Sequence, residues 1–398
     1  MKFAHLADCH IGSWRDPKLK DISTRAFVKA VDLCTGEKVD FILIAGDLFN
    51  TSLPGIEFIK AVTKKLKEVK DLGIRVYVIA GSHDFSPSGK TMLDVLEHAD
   101  LFVNVAKGEA IDGRLKLNFT VDEKTGAKIT GLLGKRGGLE KSYYEDLYRE
   151  NLESEPGFKI FMFHSLLTEL KPKDLEKVDS QPLSLLPKTF DYYAGGHPHF
   201  VENKKIEGYG VVAYPGPLFP NNFRELEKLG RGGFYIYDGG KLEWYPVQVY
   251  NAYSMHFECN HKSAEQVNKE IFDMIKSKEF FDTIVTLRLD GVLDSGKVSD
   301  IDFKQIFSVL YEKSAYFVMK NTNGLSSKEF EQISVDSGNI EETEDKLIKE
   351  HLGQIKVEGD EDALIKQFMQ ALSLEKNEGE KVADFERRLV DEVKNITR

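Results

Sequence analysis

Histidines and aspartates stand where apolar runs of this chain stop: Asp8 and His10 in LADCHIG, Asp47 in IAGDLFN, His83 and Asp84 in GSHD, His164 in FHS, and His197 with His199 in GGHPH. Mixed imidazole and carboxylate sets of this kind bind manganese, iron or zinc. Two such ions held close together are suited to in-line displacement at phosphorus. If each stretch continues its strand, Asp8 and His10 share one face, as do His197 and His199, because side chains alternate along a strand. A single histidine at a strand end is more often a hydrogen-bonded surface residue than a ligand. Five such ends together are a different matter, because ligands gather at the carboxyl ends of strands in open α/β sheets. His5 lies inside the first run and is expected in the core. His98, His256, His261 and His351 lack this context and read as structural or solvated.

The elements that would position these groups are legible too. Apolar runs at 2–10, 39–47, 75–84, 158–165 and 192–199 have the near-continuous hydrophobicity of strands buried on both faces. Between the early runs, Phe58, Val62, Leu66 and Val69 repeat at helical spacing and Gly73 closes the pattern. That alternation predicts a layered α/β core, continuing through strands at 211–215 and 233–237 to about residue 245. Residues 246–324 read as a small α+β module, with one helix opened by a capping box from Ser263 to Gln266. Residues 325–398 carry helical patterns around 341–352, at 361–373 and at 380–396, the last with Val382, Phe385, Leu389, Val393 and Ile396 on one stripe.

The 398 residues, 41% of them apolar, are enough for two or three domains. A net charge of -11 disfavours a broad basic surface for nucleic acid, so any such contact must be local. The lysines of the helix around 60–70 read as its solvated face, and the acid-rich last segment is poorly suited to direct DNA binding. Cys9, Cys34 and Cys259 are scattered and read as free thiols. There is no run of eighteen apolar residues, and an acid and a histidine fall within the first ten positions, unlike a signal peptide. The expectation is a cytoplasmic protein, nucleoid-associated if the source is prokaryotic, with no membrane partner.

HLADCHIG, IAGDLFN, GSHD, FHS, GGHPH and YPGPL together resemble the calcineurin-like metallophosphoesterases. HLADCHIG with AGDLFN, and the three-part layout, are similar to the SbcD-like (meiotic recombination eleven) nucleases of double-strand break repair. The resemblance implies a four-layer α-β-β-α sandwich, a capping domain and a helical C-terminal segment. It implies two divalent ions, favouring Mn2+: one on Asp8, His10, Asp47 and His199, the other on Asp47, the position of Ser82, His164 and His197. His83 would protonate the leaving oxygen, and Asp84 would orient its ring or cap a nearby backbone N–H. The implied activity is 3′–5′ exonuclease on duplex DNA and endonuclease on single strands. The implied partners are DNA ends, an SbcC-like coiled-coil ATPase docked on the C-terminal helices, and a second copy of the chain, for which 91–99 and 23–34 are candidate faces.

Two positions depart from the family pattern. Ser82 stands where asparagine is usual, and its shorter hydroxyl is the weaker donor, so the second metal should be held less tightly. Asn50 stands where some members have a histidine that helps position phosphate. Two other readings remain open at this stage: a small-substrate phosphodiesterase of the same fold, and a weakly catalytic scaffold that brings the ATPase to DNA ends.

Overall fold

A computed structural model describes residues 1–86, 91–135, 137, 139–328, 361–377 and 380–396. They form two compact units, the first being Met1–Met255 with Phe280–Thr286 and Ser314–Met319.

Two six-stranded sheets build the first unit. In one, β1 (Lys2–Leu6), β2 (Phe41–Ala45), β3 (Arg75–Ile79) and β4 (Val103–Asn104) run parallel, and β13 (Gly232–Asp238) and β14 (Lys241–Val247) extend the β1 edge antiparallel. In the other, β8 (Lys128–Gly131), β9 (Lys159–His164), β10 (Tyr192–Gly196) and β12 (Gly210–Pro215) run parallel, flanked by antiparallel β7 (Thr120–Val121) and β11 (Val201–Ile206). A hairpin of β5 (Gly108–Ile111) and β6 (Arg114–Leu117) stands apart.

Strand alternation splits each apolar run between two cores. In β1, Phe3 faces the opposite sheet, stacking on Phe41 of neighbouring β2 and meeting Tyr192 of β10 edge-on, while Ala4 and Leu6 face the helical side. There α1 (Ile22–Gly36) and α2 (Ile56–Asp71) bury Phe27, Val31, Val62 and Leu66, joined by Leu93 and Leu96 of α3 (Met92–His98). On the far side of the second sheet, α4 (Lys141–Glu145) and α5 (Glu150–Glu153) bury Tyr144 and Leu152 against Phe161 and Phe163. The result is the α-β-β-α sandwich. The Phe58–Val69 stripe is buried as its spacing requires, and Gly73 ends the turn at φ +73°. His5 is fully buried, its Nδ1 2.9 Å from the Tyr192 hydroxyl.

The second unit is His256–Glu279, Leu287–Lys313 and Lys320–Arg398. Its α7 (Ala264–Lys276) opens with the Ser263–Gln266 capping box and buries Val267, Ile271 and Ile275; α8 (Phe303–Glu312) buries Ile306 and Leu310. Strands β15 (Asn251–Glu258), β16 (Thr283–Leu293) and β17 (Ala315–Ser327) form a three-stranded sheet in that order. Helices follow at Glu361–Leu372 and Val382–Ile396. The pattern at 341–352, with His351, lies outside the described residues.

One premise drawn from strand alternation is corrected. β1 ends at Leu6 and β10 at Gly196, so Asp8, His10, His197 and His199 stand beyond their strands. Asp8, His10, Asp47, His197 and His199 all have positive φ, between 42° and 99°. Left-handed backbone is unfavourable for residues with a Cβ. The side chains of these residues are aimed by strained loops, not by the period of a strand.

Candidate metal centre

Strand register brings the loops together. The amide of Asp8 donates to Gly46 O at 3.2 Å, that of His10 to Asp47 O at 2.9 Å, and that of Ile11 to Leu48 O at 3.1 Å, zipping the loop after β1 onto the loop after β2. The His197 amide donates to both Asp8 carboxylate oxygens at 3.0 Å, joining the second sheet to the first. The His83 amide donates to Asp47 Oδ1 at 2.7 Å. Two glycines make the approach possible. A Cβ on Gly46 would lie 2.2 Å from His164 Nδ1, and one on Gly81 would lie 2.2 Å from Asp47 Oδ1.

Three sets of three converge, each offering atoms within 4.8 Å of one another: Asp8, His10 and His199; His10, Asp47 and His83; Asp8, Asp47 and His164. His164 Nε2 is 3.2 Å and His10 Nε2 3.5 Å from Asp47 Oδ2, while His199 Nε2 is 3.7 Å from Asp8 Oδ1. The Nε2 atoms of His10 and His199 face each other at 2.9 Å. Asp47 therefore stands centrally, and Asp8 sits to one side. The His197 ring is 5.3 Å from that of His164 at the more exposed mouth and joins none of the three sets. The Ser82 hydroxyl, largely buried, is 3.5 Å from Asp47 Oδ2.

Hydrogen bonds fix which ring nitrogens are available. A backbone carbonyl can only accept, so His164 Nδ1, 2.9 Å from Ala45 O, carries a hydrogen and turns Nε2 toward Asp47. His83 Nδ1 donates likewise to Asn50 O at 2.9 Å, so Asn50 acts here through its main chain. The Asp84 carboxylate does not contact this ring. It accepts from the amides of Leu48, Phe49 and Gly81 at 3.0, 2.9 and 3.1 Å, bracing the two loops that carry Asp47 and His83.

The donor set suits divalent cations. His164 Nε2 is buried 3.2 Å from Asp47 Oδ2, and Asp8 and Asp47 are two nearly fully buried carboxylates in the same pocket. Leaving such groups unpaired costs several kcal/mol unless a cation satisfies them. Burial pushes Asp8 up from the usual carboxylate range, and at Asp47 it is outweighed by His164, which holds that carboxyl below its usual range. His10 is pushed down to about 3 by burial and then by its cationic neighbour His199, which keeps it neutral as a ligand must be.

Glu225 was not anticipated. It lies in α6 (Phe223–Leu229), and its Oε1 accepts from His199 Nδ1 at 3.0 Å. The trace in sequence is NNFRE, an asparagine cap with glutamate three positions on, which ordinarily signals only a helix start. Cys9, Cys34 and Cys259 are buried free thiols. His98 bonds its own helix at Asp94 O, and His256 pairs with Asp290 at 2.9 Å. No helix among the described residues is long and apolar enough to cross a membrane.

Residues 1–200 match the family model described as calcineurin-like phosphoesterase. The chain is similar to a DNA double-strand break repair protein Mre11 of Archaeoglobus fulgidus, at 24% identity over 77% of this chain and 72% of the relative. It is similar also to the Mre11 of Methanopyrus kandleri, at 29% identity over 63% and 57%, and to that of Methanocaldococcus jannaschii, at 28% over 68% and 72%.

Proposed function

This chain belongs to the calcineurin-like phosphoesterases, and from that premise we propose that it is a metal-dependent DNA nuclease that trims broken ends. The buried convergence of Asp8, His10, Asp47, His164 and His199 carries the reading, and the similarity to relatives named for double-strand break repair gives its substrate class. Asp8, His10, Asp47 and His199 would hold one divalent ion; Asp47, Ser82, His164 and His197 would hold the other, with manganese the preferred metal. Bound there, the ions supply positive charge to the phosphodiester and lower the pKa of an attacking water. The carbonyl of Asn50 fixes Nδ1 of His83 as a donor, so Nε2 would hand a proton to the leaving oxygen from the doubly protonated ring, which ends as the neutral Nδ1–H form. Asp84 keeps the two loops in register during the reaction.

The activities proposed are 3′–5′ exonuclease on duplex ends and endonuclease on single strands. Residues 246–324 would cap the site and 325–398 would dock an SbcC-like coiled-coil ATPase in the cytoplasm. The apolar residues of α1 are spent on its own core, whereas Val95 of α3 and the nearby Leu53 and Ile56 are exposed. These exposed residues favour 91–99 over 23–34 as the face a homodimer would use.

With manganese, the purified chain should degrade linear duplex DNA, and His83→Gln should abolish this with metal content unchanged. Normal cutting by that variant would overturn the assigned proton donor. Loss of metal instead would make His83 a ligand, a role its distance to His10 and Asp47 also permits.

A further inference from the structure

The two proposed metal positions are supported unequally. On one side His199 Nδ1 donates to a carboxylate, Glu225 Oε1, at 3.0 Å. On the other, His164 Nδ1 donates only to the neutral carbonyl of Ala45, and the ligand position beside it is a serine whose hydroxyl leans on Asp47. Glu225 is itself immobilised. Its Oε2 accepts from the Asn221 amide at 2.9 Å, its Oε1 also accepts from Asn222 Nδ2 at 2.6 Å, and its own amide is capped by Asn222 Oδ1 at 3.0 Å. Asn221 Oδ1 in turn accepts from Ser13 Oγ at 3.0 Å, and Trp14 Nε1 donates to Pro220 O, so α6 is fastened to the loop that follows His10.

A carboxylate behind an imidazole fixes its tautomer and raises the electron density at the outer nitrogen, and removing such a partner typically weakens metal binding about 10- to 100-fold. Glutamate at the third position of a helix ordinarily reaches back to the amide of the capping residue. Here it is diverted to a ring nitrogen, and that diversion marks its role.

We propose that Glu225 is a positioning residue that locks His199 with Nε2 facing Asp8 and His10, making theirs the tighter of two unequal metal positions. The proposal rests on the two-metal reading of the site. It extends that reading by ranking the ions: one resident, the other exchanging and set by Ser82.

Manganese titration of the full chain, followed by the paramagnetic resonance of free ion and by calorimetry, tests this without any turnover. The wild type should bind two ions in a tight and a weak class. Glu225→Gln should loosen the tight class about 10- to 100-fold and leave the weak class in place. Leu226→Ala hollows the buried face of the same helix while leaving the Glu225 side-chain hydrogen bonds in place; it should lower the melting temperature yet keep the tight class. If Glu225→Gln leaves both classes unchanged, or if Leu226→Ala loosens metal as much as Glu225→Gln does, Glu225 merely holds α6 and the proposal fails. If the wild type binds fewer than two ions, the two-metal reading fails first.

Discussion

At the scale of single residues, the centre is a competition between protons and metal. In chelator-stripped protein, burial opposes charge on both His164 and His199, but Asp47 outweighs it at the first and Asp8 with Glu225 at the second, raising them to about 10 and about 9. Both rings are then cationic at neutral pH. Raised histidine values give the stripped protein stability that is complete below about 6.5 and is lost as pH climbs through about 9 to 10. Loading manganese at pH 7.5 should therefore release about two protons per chain, read by calorimetry in buffers of different ionisation enthalpy. Release near zero would mean that neither ring is protonated in the stripped protein. Ser82 makes a separate prediction. An asparagine amide oxygen reaches further than a hydroxyl, so Ser82→Asn should tighten the weaker manganese class by about tenfold, and an unchanged titration would remove Ser82 from the ligand set.

At the scale of elements, the loops matter more than the strands that launch them. Strand positions, the buried α2 stripe and the Ser263 cap were legible because they follow local periodicity and capping. The direction in which Asp8 and His10 point was not, because a left-handed φ after β1 breaks the two-residue period from which direction is read. Glu225 was hidden for a related reason: the ring it holds, His199, is 26 residues away and meets it only through the fold. Asp84 was legible as a turn residue, while the span it braces, from Leu48 to Gly81, needed the parallel register of β2 and β3. Asp84→Ala should strip acceptors from three backbone amides and cost about 3 kcal/mol or more, seen as a lower urea midpoint with unchanged slope. Gly81→Ala should leave the sandwich folded but push on Asp47, lowering manganese affinity more than melting temperature; wild-type affinity would show that the loop yields.

At the scale of the whole molecule, the second unit ends in helices whose apolar side chains are incompletely covered. Leu372 is 63% exposed and Val390 47%, and such residues on an amphipathic surface suit a partner's coiled coil. If these helices dock the SbcC-like ATPase proposed above, Leu372→Asp with Val390→Asp should abolish its capture while hydrolysis of a small phosphodiester stays at the wild-type rate, and retained capture would move the docking face elsewhere. The strained loops carry a consequence for how this molecule would change under selection. Replacing Asp8 or Asp47 by glycine would relieve left-handed backbone, but it would also leave His199 or His164 without its carboxylate and the His197 or His83 amide without its acceptor. Variants chosen only for surviving heat would therefore keep these carboxylates, strain included. What an activity screen would keep for its chemistry, a thermal screen would keep for its charge.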